Sequence, residues 1–239
     1  MTIRFYIRIV LIAFLFIGPT SCKKKKEEPI CPTKSRYRIN IQPVFGSEIL
    51  FLDSIYNTDE GYSLKYTDIK CYFSQISHKG EVVLDAALFD YRSDPNSFAM
   101  FEGLPNDYQN LSCLFGVDTT NNHLDPSAFP ISSALNIINA NDMHWGWNPG
   151  YIFLKLEGQV DTLMNQTMNF NHNFVFHIGK DVNLMNLQFD SIPWKLTENV
   201  YHGTLNFDLK KFLSGTASID LKDEFTSHTQ SGQELLSSK

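Results

Sequence analysis

The chain has 239 residues, of which 43% are hydrophobic, 13% aromatic and 19% charged. This composition is that of a globular protein with enough apolar side chains for a full core, which excludes disordered, collagen-like and coiled-coil classes. The formal net charge is −6, but the chain from Pro29 onward keeps 14 basic against 24 acidic residues and therefore carries −10. Because a phosphate backbone repels such a domain, nucleic acid is excluded as a partner and cations are favoured.

The first 21 residues have the pattern of an export signal. Two arginines stand within the first eight residues, and residues 9–17 form an apolar run that is too short for a stable membrane span. The run ends in Gly-Pro-Thr-Ser-Cys22, which resembles the lipobox of a bacterial lipoprotein, with Pro19 where a Leu-like residue is usual. We predict a signal peptide over residues 1–21, lipidation of Cys22, and a protein anchored by lipid in the periplasm or at the outer-membrane surface. The alternative is an ordinary signal peptide that is cut elsewhere.

Residues 22–33 are predicted to form a charged tether. Cys22 is followed by four Lys and two Glu, a start that resembles lipoproteins of the Bacteroidota and has too few apolar residues to fold. If Cys22 is lipidated, three cysteines remain (Cys31, Cys71 and Cys113), so at least one has no partner within the chain. Cys71 and Cys113 lie in strand-like runs, and we expect both to be small buried hydrophobic side chains.

Alternation of apolar and polar residues predicts strands along most of the chain. The first run, 37–41, is followed after a turn at Phe45-Gly46-Ser47 by a second run, 48–52, as in a hairpin. Further strand-like runs follow at 62–76, 82–91, 108–117, 151–156, 168–178, 184–189 and 200–209. Short helices are predicted at 132–138 and 208–213, the second capped by Asp208.

Strands of this length, separated by Gly, Asn, Asp and Pro, indicate an all-β fold without internal repeats. We predict a single-domain antiparallel β-sandwich with long loops and at most short helices, spanning residues 34–222. Residues 223–239 are polar and are predicted to form a disordered tail.

Residues 142–151 read Asp-Met-His-Trp-Gly-Trp-Asn-Pro-Gly-Tyr and hold two of the three tryptophans. A glycine between two tryptophans, followed by Asn-Pro-Gly, predicts a shaped loop that leads into the next strand. The thioether of Met143 and the imidazole of His144 suit a soft or borderline metal ion, above all Cu(I). The alternative is an aromatic corner that closes one end of the sandwich, and residue chemistry alone favours it.

His177 lies in a second notable segment, Phe174-Val-Phe-His-Ile-Gly179. Alternation places His177 on the face opposite the phenylalanines, and Gly179 is predicted to end the strand. A single histidine at a strand end is more often packed and hydrogen-bonded than a metal ligand. His172 lies five residues earlier and would face the other side of a regular strand. The chain has no CxxC pair and none of the GxSxG, HExxH, Walker A or dinucleotide signatures.

Residues 143–158 resemble the pattern Met-x-Trp-x-Trp-x-x-Gly-Tyr followed by Lys-Leu-Glu-Gly, which is the signature of MbnP-like copper-binding proteins, first named from methanobactin operons. Further segments resemble the family in the same order, and together they cover most of residues 36–221. They are Tyr72-Phe73-Ser74-Gln75-Ile76, Phe115-Gly116-Val117-Asp118, Phe176-His177-Ile178-Gly179 and Asp208-Leu209-Lys210-Lys211-Phe212.

The resemblance implies a periplasmic or surface protein that binds copper and is not an enzyme. It implies His177 and Met143 as the best candidate ligands, with His144 as a further candidate. It also implies that Trp145 or Trp147 is the tryptophan that a diheme partner resembling MauG oxidises to kynurenine. The chain departs from the pattern at Gln42, where many members carry a histidine ligand.

A different class of function stays open. In a metal-free surface binding module, Trp145 and Trp147 would form an aromatic platform for a glycan or a peptide. In a purely structural surface lipoprotein, both tryptophans would belong to the core. The position of His177 separates these alternatives, because the metal site requires His177 to lie close to Met143 and the tryptophans.

Overall fold

A computed structural model describes residues 34–95, 98–104, 107–140, 142–145, 150–163, 168–215 and 218–227. These residues form two β-sheets that share one apolar core, with short helices only, which confirms the all-β class. The leader, the lipidation candidate Cys22, the tether with Cys31, and Trp147 lie outside the described residues.

The first sheet has five strands. They are β1 (Ser35–Phe45), β2 (Glu48–Ile49), β6 (Ala99–Gly103), β11 (Lys195–Thr197) and β12 (Val200–Asp208). Their order is β11-β12-β1-β2, with β6 also paired to β1. Alternate residues of β1 (Tyr37, Ile39 and Ile41) point into the core and are almost fully buried.

The second sheet has eight strands. They are β3 (Tyr56–Asn57), β4 (Ser63–His78), β5 (Glu81–Asp90), β7 (Leu111–Phe115), β8 (Ile152–Asp161), β9 (His172–Gly179), β10 (Met185–Phe189) and β13 (Thr226–Ser227). Six of them follow the order β10-β7-β4-β8-β9-β13, and β3 and β5 are paired to β4. The inner face of this sheet completes the core through residues such as Ile69 and Cys71 of β4 and Leu156 of β8.

Two strand pairs are parallel, whereas the prediction was a purely antiparallel sandwich. β1 pairs with β12, and β9 with β13, in parallel register. The predicted hairpin is present, since β1 and β2 pair antiparallel across Gly46, which has a φ of +66°. β13 lies inside the segment predicted as a tail, so residues 226–227 pair with the sheet.

The helices are short. They are α1 (Thr119–Asn122), α2 (Ile137–Ala140) and α3 (Leu209–Ser214), with 3-10 turns at Pro126–Ala128 and Asp181–Asn183. Asp208 caps α3 as predicted, by accepting hydrogen bonds from the Lys210 and Lys211 amides. The helix predicted at 132–138 begins only at Ile137, because the Asn136 side chain accepts from the Ile138 amide in the manner of a cap. Within the described part of the chain, no helix is long and apolar enough to cross a membrane.

Cys71 and Cys113 are buried and unpaired, which confirms their prediction as small core side chains. Both belong to the core between the sheets.

Candidate functional site

The eight-stranded sheet carries a second apolar cluster on the face that points away from the core. On β4, Cys71 and Phe73 point into the core, so Tyr72 between them points outward. We call the face of the eight-stranded sheet that points away from the core the outer face. The described residues of 118–151 pack against it, and we call them the covering loop. The second apolar cluster consists of Tyr72, Val117, Leu135, Ala140, Met143, Trp145, Tyr151, Ile152 and Phe153.

Hydrogen bonds attach the covering loop to the sheet. The Tyr72 hydroxyl donates to the Ala134 carbonyl at 3.0 Å. The Asn122 side chain is 1% exposed, accepts from the Tyr151 amide at 2.8 Å and donates to Asp181 Oδ1 at 2.7 Å. Because a buried amide that uses both its donor and its acceptor is costly to displace, Asn122 fixes the loop just before β8 begins.

Charged residues cross the outer face beside this apolar cluster. The strand registers place Asp90, Lys70, Lys155 and His177 in one row across β5, β4, β8 and β9. Asp68 and Glu157 are paired in the neighbouring positions.

Asp142 of the covering loop enters this row and binds both lysines. Its carboxylate lies 2.8 Å from Lys70 Nζ and also accepts a hydrogen bond from Lys155 Nζ. Lys155 Nζ lies 3.1 Å from Asp68 as well, and each lysine is only 7% exposed. We call this group the charged cluster. Its members are Asp68, Lys70, Asp90, Asp142, Lys155 and Glu157.

Mutual stabilisation keeps Lys70, Lys155 and Asp142 charged, although both lysines are buried. Burial alone lowers the pKa of Lys70 and of Lys155, but the hydrogen bonds to Asp142 and the charge of Asp68 outweigh it, so both pKa values lie above the usual value. Burial raises the pKa of Asp142, and the two lysines reverse that shift to below the usual value. Asp142 therefore holds the covering loop as a paired ion.

His177 lies at the end of the charged row, and the Trp145 ring lies over Gly179, two residues further along β9. The Nε2 atom of His177 is 2.7 Å from Glu157 Oε1. Two residues further, β9 ends at Gly179, as predicted, and a Cβ atom there would lie only 2.7 Å from the Trp145 ring. Since residues 177 and 179 face the same side of the strand, the imidazole and the indole are neighbours along β9.

Met143 and His144 have different surroundings. Met143 is fully buried in the second apolar cluster, and its carbonyl accepts from the Ile152 amide at 2.8 Å. His144 forms a β-bridge with Tyr151, with the rings 4.9 Å apart. Burial lowers the pKa of His144, and the charge of Asp125 partly opposes that shift. The structure thus places the Trp145 ring over Gly179, two residues from His177, while the ligand set remains a prediction.

A family model named MbnP matches residues 34–231. The chain belongs to the MbnP family. MbnP from Methylosinus trichosporium has a similar fold, with a TM-score of 0.50 and 14% sequence identity over 83% of this chain and 81% of that chain. At this identity the likeness concerns the fold alone. No curated protein matches the chain.

Two of the segments that carry the MbnP resemblance meet on the outer face, namely the described part of residues 143–158 and Phe176-His177-Ile178-Gly179. Lys155 and Glu157 of Lys-Leu-Glu-Gly contact one another, and Glu157 holds His177 of Phe-His-Ile-Gly. Trp145 of the tryptophan motif packs on the glycine that ends this strand. No pattern in the sequence indicates that these segments touch. The pairing of β8 with β9 brings them together.

Within the described ranges, no group of three or more His, Cys, Asp or Glu side chains could hold a metal ion. A copper site built from these residues would contain fewer than three such side chains, together with donors of another kind such as a thioether. Trp145 is 9% exposed, so its ring is covered and does not form an open platform.

Sequence patterns alone do not predict the charged cluster. A signal was present, since Lys70 and Lys155 each interrupt an apolar strand segment. Alternation alone assigns such lysines to a solvent-exposed face, and only the covering loop with Asp142 makes that face buried.

Proposed function

We propose that this MbnP-family chain is an exported, lipid-anchored protein that binds copper on its outer face at His177, beside Trp145. It takes part in copper handling and does not catalyse a reaction. The observation that carries the proposal is the position of the Trp145 ring over Gly179, two residues from His177.

The chemistry of His177 and its surroundings suits a copper ion. Imidazole is a copper ligand, and a hydrogen bond to a carboxylate fixes the orientation of the ring, as is usual for histidines that bind metals. In the charged cluster, four carboxylates face two ammonium groups, so the field beside His177 attracts cations.

Met143 and His144 are the further ligands that we propose from the family resemblance. A thioether together with imidazole favours Cu(I), because soft donors select the soft ion. Met143 already lies in the loop that places Trp145 on β9. Cu(I) is therefore the cation that this combination of donors would select.

We further propose that Trp145 or Trp147 is oxidised to kynurenine by a diheme partner resembling MauG. Trp145 supports this proposal because its indole lies next to the proposed ligand His177. Fragmentation mass spectrometry of protein from its own host would locate the modification. In Trp145→Phe and Trp147→Phe variants, the modification should disappear from one and persist in the other; its absence from wild-type protein would contradict the proposal.

Copper competition with a chromophoric chelator tests the metal site. We expect His177→Ala to weaken copper binding by about tenfold or more. His172→Ala is the matched control, since it removes an imidazole from the same strand but from the opposite face, where His172 stacks on Phe225. Protein from the native host should be compared with protein from a host that lacks the diheme partner, because only the first can carry the oxidised tryptophan. Equal copper binding by wild type and a His177→Ala/Met143→Leu double variant in both preparations would contradict the proposal.

A further inference from the structure

The covering loop carries an exposed tip with three isoleucines. Ile131 is 72% exposed, Ile138 69% and Ile137 48%. The Nδ2 atom of Asn139 in α2 donates to the Ile131 carbonyl at 2.6 Å, which joins the helix to residue 131 and brings the three isoleucines into one structure. We call residues 129–139 the isoleucine tip. A group of exposed aliphatic side chains on a folded domain indicates a surface that contacts something other than water.

The fold holds this tip from below. Leu135 and Asn136, in its middle, are buried. The Tyr72 hydroxyl of β4 donates to the Ala134 carbonyl, and the Tyr151 hydroxyl donates to the Leu135 carbonyl. Because these contacts fix the backbone of the tip, the isoleucines are presented outward by the fold itself.

The tip lies in a segment without charge. Residues 126–141, between Asp125 and Asp142, contain no Asp, Glu, Lys or Arg, although the chain carries −10 from Pro29 onward. A loop that faces water gains solubility from charged side chains, whereas a charge is costly in contact with lipid. The composition therefore suits a surface that enters an apolar medium.

Backbone carbonyls of the tip find their hydrogen-bond donors within the chain. Asn136 Nδ2 donates to the Phe129 carbonyl at 2.6 Å, and Asn139 Nδ2 donates to the Ser133 carbonyl at 2.7 Å as well as to Ile131. A loop in water can leave such carbonyls to the solvent, but lipid offers no donor, so polar backbone groups that enter a bilayer must be satisfied internally. The two asparagines thus prepare the tip for lipid contact.

The residue types favour lipid over a protein partner. Protein interfaces depend on Tyr, Trp and Arg, and residues 129–139 contain none of the three. Phe129, the aromatic residue of the tip, packs partly buried against the second apolar cluster. The exposed side chains that remain are aliphatic, as lipid acyl chains are.

We propose that the isoleucine tip inserts into the surface of a zwitterionic lipid bilayer. The inference rests on the lipid anchor of the proposed function, because a few apolar side chains bind a membrane weakly and stable attachment takes two signals. Twelve residues, 22–33, separate Cys22 from the domain, and even a fully extended chain of that length spans only about 40 Å, so the anchor keeps the tip within reach. A zwitterionic surface is specified because an anionic one repels the acidic domain. Insertion would turn the outer face, with His177, toward the bilayer.

Quenching by labelled lipids tests this inference. A chain that starts at Lys23, with a hexahistidine tag in place of Cys22, is attached to phosphatidylcholine vesicles that contain a nickel-chelating lipid. This attachment makes the result independent of lipidation and of copper binding. A nitrobenzoxadiazole label is placed at Ser132→Cys, which is exposed within the tip, in a Cys31→Ser background. We expect nitroxide groups on the acyl chains to quench this label, and not the same label at Leu196→Cys, which is 57% exposed on β11 of the other sheet.

Two double variants locate the inserted surface. Ile131→Ser/Ile138→Ser should abolish quenching of the label at position 132. The matched control is Ile49→Ser/Leu196→Ser, which removes two apolar side chains that are more than half exposed on the five-stranded sheet and should leave the quenching unchanged.

The inference is overturned if the label at position 132 is quenched no more than the label at position 196, a comparison that needs neither double variant. It is also overturned if the Ile131→Ser/Ile138→Ser chain stays quenched. Sedimentation of the unlabelled chain without vesicles tests the other occupant. Dimers that this double variant abolishes, together with absent quenching, would assign the tip to a second copy of the chain instead of lipid.

Discussion

The indole of Trp145 occupies the space that a side chain at Gly179 would fill. A Cβ atom at position 179 would lie 2.7 Å from ring carbons Cη2 and Cζ3 of Trp145, and 2.5 Å from the Tyr151 carbonyl oxygen. Both distances are shorter than van der Waals contact allows, so the ring and the backbone would have to move. Glycine at the end of β9 is therefore what lets the tryptophan pack against this strand end, two residues from His177.

Gly179→Ala should displace the Trp145 ring and destabilise the protein by about 1–3 kcal/mol, the usual cost of overpacking. Chemical denaturation would give the free energy of unfolding, and the indole N–H signal of Trp145 in an NMR spectrum would report the displacement. Gly80→Ala is a suitable control, because a Cβ there meets no atom within 4 Å, although its φ of +85° is strained for alanine. The control should lose stability without moving the Trp145 signal, and an unmoved signal in Gly179→Ala would contradict the packing argument.

Asp142→Asn should loosen the covering loop. The substitution keeps the shape of the side chain but removes the charge that both lysines share, with an expected loss of about 1–3 kcal/mol in the free energy of unfolding. Limited proteolysis should then cut within the covering loop sooner than in wild type.

Asp53→Asn is the matched control for Asp142. It removes an ion pair with Arg92 in which both side chains are more than half exposed, so its effect should stay below about 1 kcal/mol. If the two variants lose the same stability, the charged cluster contributes no more than a surface ion pair.

Cys71 and Cys113 should resist alkylation in the folded protein. Burial raises the pKa of the Cys71 thiol well above its usual value and that of Cys113 to about 12, so almost no thiolate is present near neutral pH. Peptide mapping after iodoacetamide treatment should show label at these two positions only when denaturant is added. Labelling at equal rates with and without denaturant would show that the core opens readily.

Cys22→Ser should release the protein from the membrane. The proposed signal peptide ends immediately before Cys22, and a thioether-linked lipid at that residue would be the anchor. Detergent phase partitioning of cell fractions should move the variant from the detergent phase to the aqueous phase. Unchanged partitioning would contradict lipidation at this position.

Alternation in the sequence predicts strands such as β1 because they have one buried face and one partly exposed face. In β1, for example, Tyr37, Ile39 and Ile41 are buried while Arg38 and Asn40 between them are partly exposed. Three of the four strands that it misses, β3, β11 and β13, have three residues or fewer, which is too short to show a period; the fourth, β6, alternates over five residues only. The parallel pairing of β1 with β12 depends on distant parts of the chain and leaves no local pattern.

The candidate site could be predicted only in part, for the same reason. His177 and Trp145 stand out by residue type, and Gly179 by its place at a strand end. Asp142 and Lys70 are 72 positions apart, and nothing near either residue indicates that a loop will carry one to the other. Local pattern thus identified individual residues, whereas their contacts follow from how strands and loop assemble.

The parallel pairing of β1 with β12 also determines when the sheet can form. Tyr37 pairs with Tyr201, 164 positions later, and the register continues to Val44 and Asp208. A chain that emerges from a ribosome or a translocation pore with its amino end first must hold β1 without this neighbour until β12 has followed. Closure of so long a loop slows folding, because its entropy is lost before the contacts are gained. Assembly of the five-stranded sheet is therefore a late event that requires nearly the whole polypeptide.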